Sequence, residues 1–164
     1  MSGHLTSLTA LSESEIQFAN SYHFAIIVTD WHKQITEKLK DGVLGILAHC
    51  NVPIEHIITL QVPGSFELPL AAKWAIETMK ADAVICLGCI IKGDTKHDEY
   101  IALAVSQGIM NLNTALGKPV IFGVLTVEKM QQALDRAGGI HGNKGEEAAV
   151  TAIKMLHLNR QLNS

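Results

Sequence analysis

Three short segments bring together residue types that can do chemistry. The first is Lys92-Gly93-Asp94-Thr95-Lys96-His97-Asp98, between an apolar run and a helix-spaced one. A glycine ahead of a helix frees the backbone where first-turn N–H groups aim outward, which makes an anion site with phosphate as its commonest occupant. Thr95 and Asp98 have capping-box spacing, which predicts Thr95 as the N-cap. His97 falls four residues before Ile101, on the face of the apolar stripe and one turn nearer the helix start. Its ring is expected to point into a crevice, where it could exchange protons near neutral pH or simply cap the helix. The second segment is Val62-Pro63-Gly64-Ser65-Phe66-Glu67-Leu68-Pro69. Here Ser65 and Glu67 suit a helix start, as cap and dipole partner, and equally suit a polyhydroxylated ligand needing acceptors. The third is Trp31, which can stack on a flat ring or cover the end of the core. Arg136 and Lys144 flank the glycine-rich stretch Gly138-Gly139, Gly142 and Gly145. They read as helix-end charges or as cations for a ligand.

The elements that must position these residues alternate along the chain. Apolar runs suited to strands cover residues 23–29, 54–62, 83–91 and 119–125. Helical stripes lie between them: Ile35, Leu39, Val43, Ile46 and Cys50; Leu68, Ala72, Ala75, Ile76 and Met79; Ile101, Val105, Ile109, Leu112 and Leu116. Two further helices are expected over 127–137 and 143–159. The run 83–91 is apolar on both faces, as a central strand covered by helices reads. The pattern predicts an α/β fold: a three-layer α/β/α sandwich on a four-stranded parallel sheet. Right-handed crossovers then turn every strand's carboxyl end to one edge, the edge where such sheets bind ligands. Residues 1–164 read as a single domain, with 1–20 a polar N-terminal arm lacking strong periodicity and 21–164 the body.

Composition removes whole classes of function. Hydrophobic residues make up 48% and charged ones 18%, which is the balance of a folded chain with a core. A formal net charge of −3 with no basic cluster argues against nucleic acid as a partner. No apolar run approaches the ~20 residues of a bilayer span, and the first twenty residues hold no secretory h-region. Cys50, Cys86 and Cys89 then read as reduced thiols of a cytoplasmic protein. Cys86 and Cys89 have C-x-x-C spacing, but residues three apart on a strand face opposite sides and cannot meet. No metal-ligand spacing, dinucleotide fingerprint, phosphate-binding P-loop or nucleophile elbow occurs.

Together the segments resemble the lumazine synthase family. The resemblance rests on residues 62–69, Leu87-Gly88-Cys89-Ile90-Ile91 running into Lys92 to His97, Val120-Ile121-Phe122-Gly123-Val124-Leu125-Thr126, Arg136-Ala137-Gly138 and Gly142-Asn143-Lys144-Gly145. It extends from about residue 22 to 160. It implies a flavodoxin-like fold that condenses 5-amino-6-(D-ribitylamino)uracil with 3,4-dihydroxy-2-butanone 4-phosphate to 6,7-dimethyl-8-ribityllumazine, the penultimate step of riboflavin biosynthesis. No cofactor and no metal are implied.

Carried over by position, the resemblance makes His97 the proton-transfer residue and puts Trp31 on the pyrimidine ring. Ser65, Phe66 and Glu67 fall to the ribityl chain, and the backbone of Cys89, Ile90 and Ile91 to the pyrimidine edge. Gly93, Asp94 and Thr95 match the phosphate loop. Phe122, Arg136 and Lys144 match residues supplied by a neighbouring subunit, with Arg136 on the phosphate. The implied assembly is a homo-oligomer built from pentamers: pentamer, decamer or icosahedral shell. Lys92 stands where many members carry Arg, and Asp98 where an aromatic is usual. Two other readings are carried alongside the enzyme. One is a non-catalytic lumazine- or flavin-binding shell protein of the same fold. The other, a receiver-type signalling domain, lacks its acidic cluster, because Asp30 stands alone and Lys92-Gly93 occupies the phosphoacceptor's place.

Overall fold

The computed structural model describes residues 11–164. Strand β1 (Phe24–Thr29) is buried at every position, the signature of a strand with neighbours on both edges and helices on both faces. It pairs in parallel with β2 (Ile57–Val62) on one side and β3 (Ala83–Ile91) on the other. Strand β4 (Val120–Val127) extends the sheet beyond β3, again parallel, giving the order β2-β1-β3-β4. The fold is therefore the expected α/β sandwich on a four-stranded parallel sheet, with the topology of a flavodoxin-like fold.

Alternating strand residues feed two cores. Phe24, Ile26, Val28, Ile85 and Leu87 face α2 (Lys33–His49) and α6 (Lys144–Leu162). Ala25, Ile27, Val84 and Cys86 face α3 (Leu68–Glu77) and α4 (His97–Leu116). Each fully buried aliphatic side chain contributes about 1.5–3 kcal/mol by leaving water, so the two cores dominate the stabilising side of the balance. All five residues of the predicted α2 stripe are buried. Met79 departs from its stripe: α3 ends at Glu77 and the side chain is exposed. Helix α4 ends as its sequence predicts, with Gly117 in the left-handed conformation at φ 60°.

Three local expectations are corrected. Residues 13–19, inside the segment read as a polar arm, form α1 (Glu13–Ala19), started by a capping box between Ser12 and Glu15. The helix docks on α6 by placing the Phe18 ring 4.0 Å beneath the Arg160 guanidinium. Residues 1–10 of the arm lie outside the described residues. The run 54–62 begins with a single 3-10 turn at Ile54–His56 before the strand. The helix expected from residue 127 begins three residues later, as α5 (Met130–Arg136), because β4 continues to pair with β3 as far as Ile91 and Val127. The glycine-rich stretch joins α5 to α6 as a small antiparallel pair, β5 (Ala137–Gly139) with β6 (Gly142–Asn143), with Gly138 and Gly142 in the left-handed region at φ 103° and 73°.

Helix α6 is fastened to α2 at its start. Asn143 accepts the Gly145 N–H at 2.8 Å and donates to the Lys38 carbonyl at 2.8 Å. Gly145 packs so tightly that a β-carbon there would stand 1.9 Å from the Leu39 carbonyl oxygen. Only backbone movement can relieve that overlap. Gly145→Ala is accordingly expected to lower the unfolding free energy by about 1–3 kcal/mol, read as a lower denaturant midpoint. An unchanged midpoint would contradict the close helix contact.

Candidate active site

The carboxyl ends of β1, β2 and β3 open into a groove of about 1370 Å³ closed on one side by α4. Its first wall is Trp31, the second residue after β1, which remains 69% exposed despite its size. The indole lies over Gly64: a β-carbon at Gly64 would stand 3.4 Å from Trp31 Cδ1 and 3.2 Å from Glu67 Oε2. Trp31 and Glu67 are thus neighbours across the backbone of the turn that follows β2. That turn, a 3-10 segment at Ser65–Glu67, is held by the Gly64 N–H donating to Glu67 Oε2 at 3.0 Å.

Ser65 does not cap the following helix as expected; no side-chain cap is present there. It is buried against β3, where a β-carbon on Gly88 would stand 2.7 Å from its Oγ. Gly88 is therefore the gap in β3 that admits the Ser65 hydroxyl to the groove. Cys89, Ile90 and Ile91, the last residues of the same strand, form the floor.

Gly93, Thr95 and His97 line the groove where the chain turns from β3 into α4. The capping geometry differs from the spacing's expectation. Lys96, not Thr95, is the N-cap, and the helix begins at His97. Thr95 Oγ1 accepts the His97 N–H at 3.4 Å, while Asp98 Oδ1 reaches back to the Gly93 N–H at 3.4 Å. The side chains of this loop thus face their own backbone donors at long range. Asp94 is exposed and is not among the residues lining the groove.

Phe122, Arg136 and Lys144 lie elsewhere. They line a second hollow, between β4, α4 and α6, at the far edge of the sheet. Lys144 Nζ bonds both oxygens of Glu147 at 2.8 and 2.9 Å, and Arg136 donates to the Gln132 carbonyl at 3.1 Å. Arg136 also borders a third, smaller hollow together with Ile90, Lys92 and Asp98, so it stands near the 92–98 loop of its own chain, whereas Phe122 and Lys144 line only the second hollow. Among the described residues lining the first groove, the charged ones are Glu67 and Asp98, and neither Lys nor Arg occurs.

With this geometry in place, the comparisons with known proteins are decisive. The family model for 6,7-dimethyl-8-ribityllumazine synthase matches residues 21–160. The chain belongs to the lumazine synthase family. It is 51% identical to the 6,7-dimethyl-8-ribityllumazine synthase of Cytophaga hutchinsonii over 142 residues, covering 87% of this chain and 89% of that protein. The same-named protein of Parabacteroides distasonis is 48% identical over 157 residues, 94% and 98% of the two chains. That of Halorhodospira halophila is 41% identical over 154 residues, 94% and 99%. This is an enzyme family of riboflavin biosynthesis, and the sandwich described above is consistent with it.

The lumazine synthase motifs did not include several groove residues on α4. Tyr100, Leu103, Gln107 and Asn111 share one helical face at i, i+3, i+7 and i+11 and line the groove, with Tyr100 and Leu103 69% and 65% exposed. Their signal was a second, partly apolar face on a helix whose first stripe already accounted for the core. His32, half-buried beside Trp31, was also outside the motif-derived set. No group of three or more His, Cys, Asp or Glu suited to a metal ion occurs among the described residues. No described helix is long and apolar enough to cross a membrane.

The thiols are placed as the strand argument expects: Cys86 in the core under α3 and α4, Cys89 in the core on the opposite face. Burial pushes the Cys86 thiol up to about 12 and Cys89 up to about 11, and it raises Cys50 as well. At pH 8, three pH units below the Cys89 value, roughly one Cys89 in a thousand is thiolate. Native protein at pH 8 should leave all three cysteines unmodified by a thiol-disulfide reagent on the minute timescale, and urea should release all three. Prompt modification of a single thiol in the native state would contradict this burial.

Proposed function

We propose that this lumazine synthase family member condenses 5-amino-6-(D-ribitylamino)uracil with 3,4-dihydroxy-2-butanone 4-phosphate. The products are 6,7-dimethyl-8-ribityllumazine, inorganic phosphate and water. The observation that carries the reading is the convergence of Trp31, Ser65, Glu67 and His97, from three separate strand ends, on one groove. Trp31 stacks on the pyrimidine, Ser65 and Glu67 accept from ribityl hydroxyls, and the backbone of Cys89 to Ile91 meets the pyrimidine edge. His97 moves protons as the amine adds to the ketone, water and phosphate leave and the ring closes. None of these steps needs a strong nucleophile, and holding two reactants in register supplies much of the rate.

The phosphate needs more than this groove offers. A helix N-terminus favours an anion by roughly 0.3–1 kcal/mol at an exposed site. A single like charge 5 Å away opposes it by about 3 kcal/mol at an effective dielectric of 20. Glu67 and Asp98 line the groove and neither Lys nor Arg does, so the phosphate must draw on cations outside it, with Lys92 and Arg136 bordering the adjoining hollow beside Asp98. As the family resemblance implies, we infer that backbone N–H groups of the Gly93-Asp94-Thr95 loop hold the phosphate, with the exposed Asp94 carboxylate turned away, together with Arg136 of a second copy, which also presents Phe122 and Lys144. Pentamers built by that contact would cover the exposed apolar residues Phe66 of the turn after β2, Leu70 and Trp74 of α3 and Leu103 of α4. The three unpaired, buried cysteines suit the cytoplasm.

A non-catalytic lumazine- or flavin-binding shell protein is the competing reading, and steady-state condensation with both substrates separates the two. Followed by lumazine absorbance and corrected for spontaneous condensation, wild-type protein should turn over. His97→Ala should lower kcat by roughly 10²-fold. Tight binding of a ribityl ligand with no rate above background would make this a binding protein and defeat the proposal.

A further inference from the structure

Three described non-glycine residues have positive φ: His32, Asn51 and Lys80. Asn51 and Lys80 follow the ends of α2 and α3, where a left-handed residue is an ordinary way to stop a helix. His32 is different. It is the N-cap of α2, a position that normally takes extended backbone, yet it sits at φ 58°, ψ 45° and its side chain makes no capping bond. Left-handed backbone is a cost for a side-chain-bearing residue and persists only where its surroundings impose it.

Those surroundings are fixed on both sides. Upstream, β1 is paired along both edges, and the Asp30 N–H bonds the Val62 carbonyl at 2.9 Å. Downstream, the His32 carbonyl accepts from the Ile35 and Thr36 N–H groups at 2.8 and 3.1 Å, so the peptide after His32 is already helical. The buried Thr36 hydroxyl donates to the Thr29 carbonyl at 3.0 Å, clipping the helix start to the strand end. Asn143 and the Gly145–Leu39 contact hold the rest of α2. Between these anchors lies Trp31, tied through its backbone only by a 3.4 Å contact from Thr29 Oγ1. Any rotation of position 32 out of the left-handed region must therefore be absorbed at Trp31.

We propose that His32 is a positioning residue whose left-handed backbone holds Trp31 across the groove, over Gly64 and beside Glu67. The assignment rests on the proposed function for its kinetic consequence, but its geometric content does not. The conformation is the working element, so a residue that tolerates it preserves the site and one that resists it does not. Asn and Gly enter the left-handed region readily, Ala less so, and β-branched Val resists it most.

The test compares His32→Asn, His32→Gly, His32→Ala and His32→Val in a Trp74→Phe background, so that tryptophan emission reports Trp31 alone. Emission of the unliganded protein should match the parent for Asn and Gly and shift for Val. In the condensation assay, run on the same position-32 variants with Trp74 intact, Val should raise KM for the pyrimidine amine by about tenfold, leaving KM for the phosphate-bearing ketone within about twofold. Asn and Gly should restore the parent values, which general destabilisation would not do. If the Val variant does not fold, Ala carries the comparison with a smaller shift in the same direction. Parent-like emission and KM in Val or, failing that, Ala would overturn the proposal. So would Asn and Gly variants as impaired as Val, because the imidazole itself would then be responsible. If the parent makes no lumazine, the functional reading fails and the emission series alone decides the role of His32.

Discussion

Parallel pairing of strands buried on both faces is the constraint from which the rest follows. A parallel neighbour can be reached only through a crossover, and a two-sided core requires those crossovers to be helices on both faces. Phe24 to Val28 of β1, without solvent contact on either side, sit at the centre of that arrangement. Once it holds, the ends of β1, β2 and β3 must emerge together. Trp31, the Ser65–Glu67 turn and His97 become neighbours although the sequence spreads them over more than sixty residues. The close approaches at Gly145 and Gly88 refine this: one locks α6 to α2, the other opens β3 to a hydroxyl.

Electrostatics divides the candidate residues where topology cannot. Uptake of an anion by the first groove is opposed by Glu67 and Asp98, and the cations lie outside it: Lys144 and Arg136 line the β4 hollow, and Arg136 and Lys92 border a third hollow that Asp98 shares. The proposed site shared between copies would bring a second copy's Arg136 to the phosphate end of the groove. It would also bury the exposed apolar surface of α3 and α4, a source of association energy that one chain alone leaves unused.

Features set by periodicity over a dozen residues or more were legible in the sequence, and features decided by tertiary pairing or by single turns were not. The α2 stripe, the two-faced run of β3 and the glycine stop after Leu116 match the structure closely. The start of α5 was misplaced because Val127 has no local reason to stay extended; its reason is Ile91 across the sheet. Thr95 lost the N-cap to Lys96 although its spacing to Asp98 was suitable, since Asp98 turned to Gly93 instead. Helix α1 is too short at seven residues for periodicity to register, and its evidence is one capping box. In the groove, the motif residues were recoverable from type and position. The α4 face was hidden by its own core stripe, and the backbone state of His32 has no signature in its side chain.

The proposed site takes His97 from one copy and Arg136 from another. His97→Ala and Arg136→Ala proteins, each close to background alone, should be co-assembled from unfolded chains and assayed for lumazine formation. Hybrid assemblies place an intact Arg136 beside an intact His97 at some interfaces, so turnover should return well above either parent. Hybrids of the same size as the parents that stay at background would mean that both residues act within one chain, or that one of them does not act at all, and the account would be wrong.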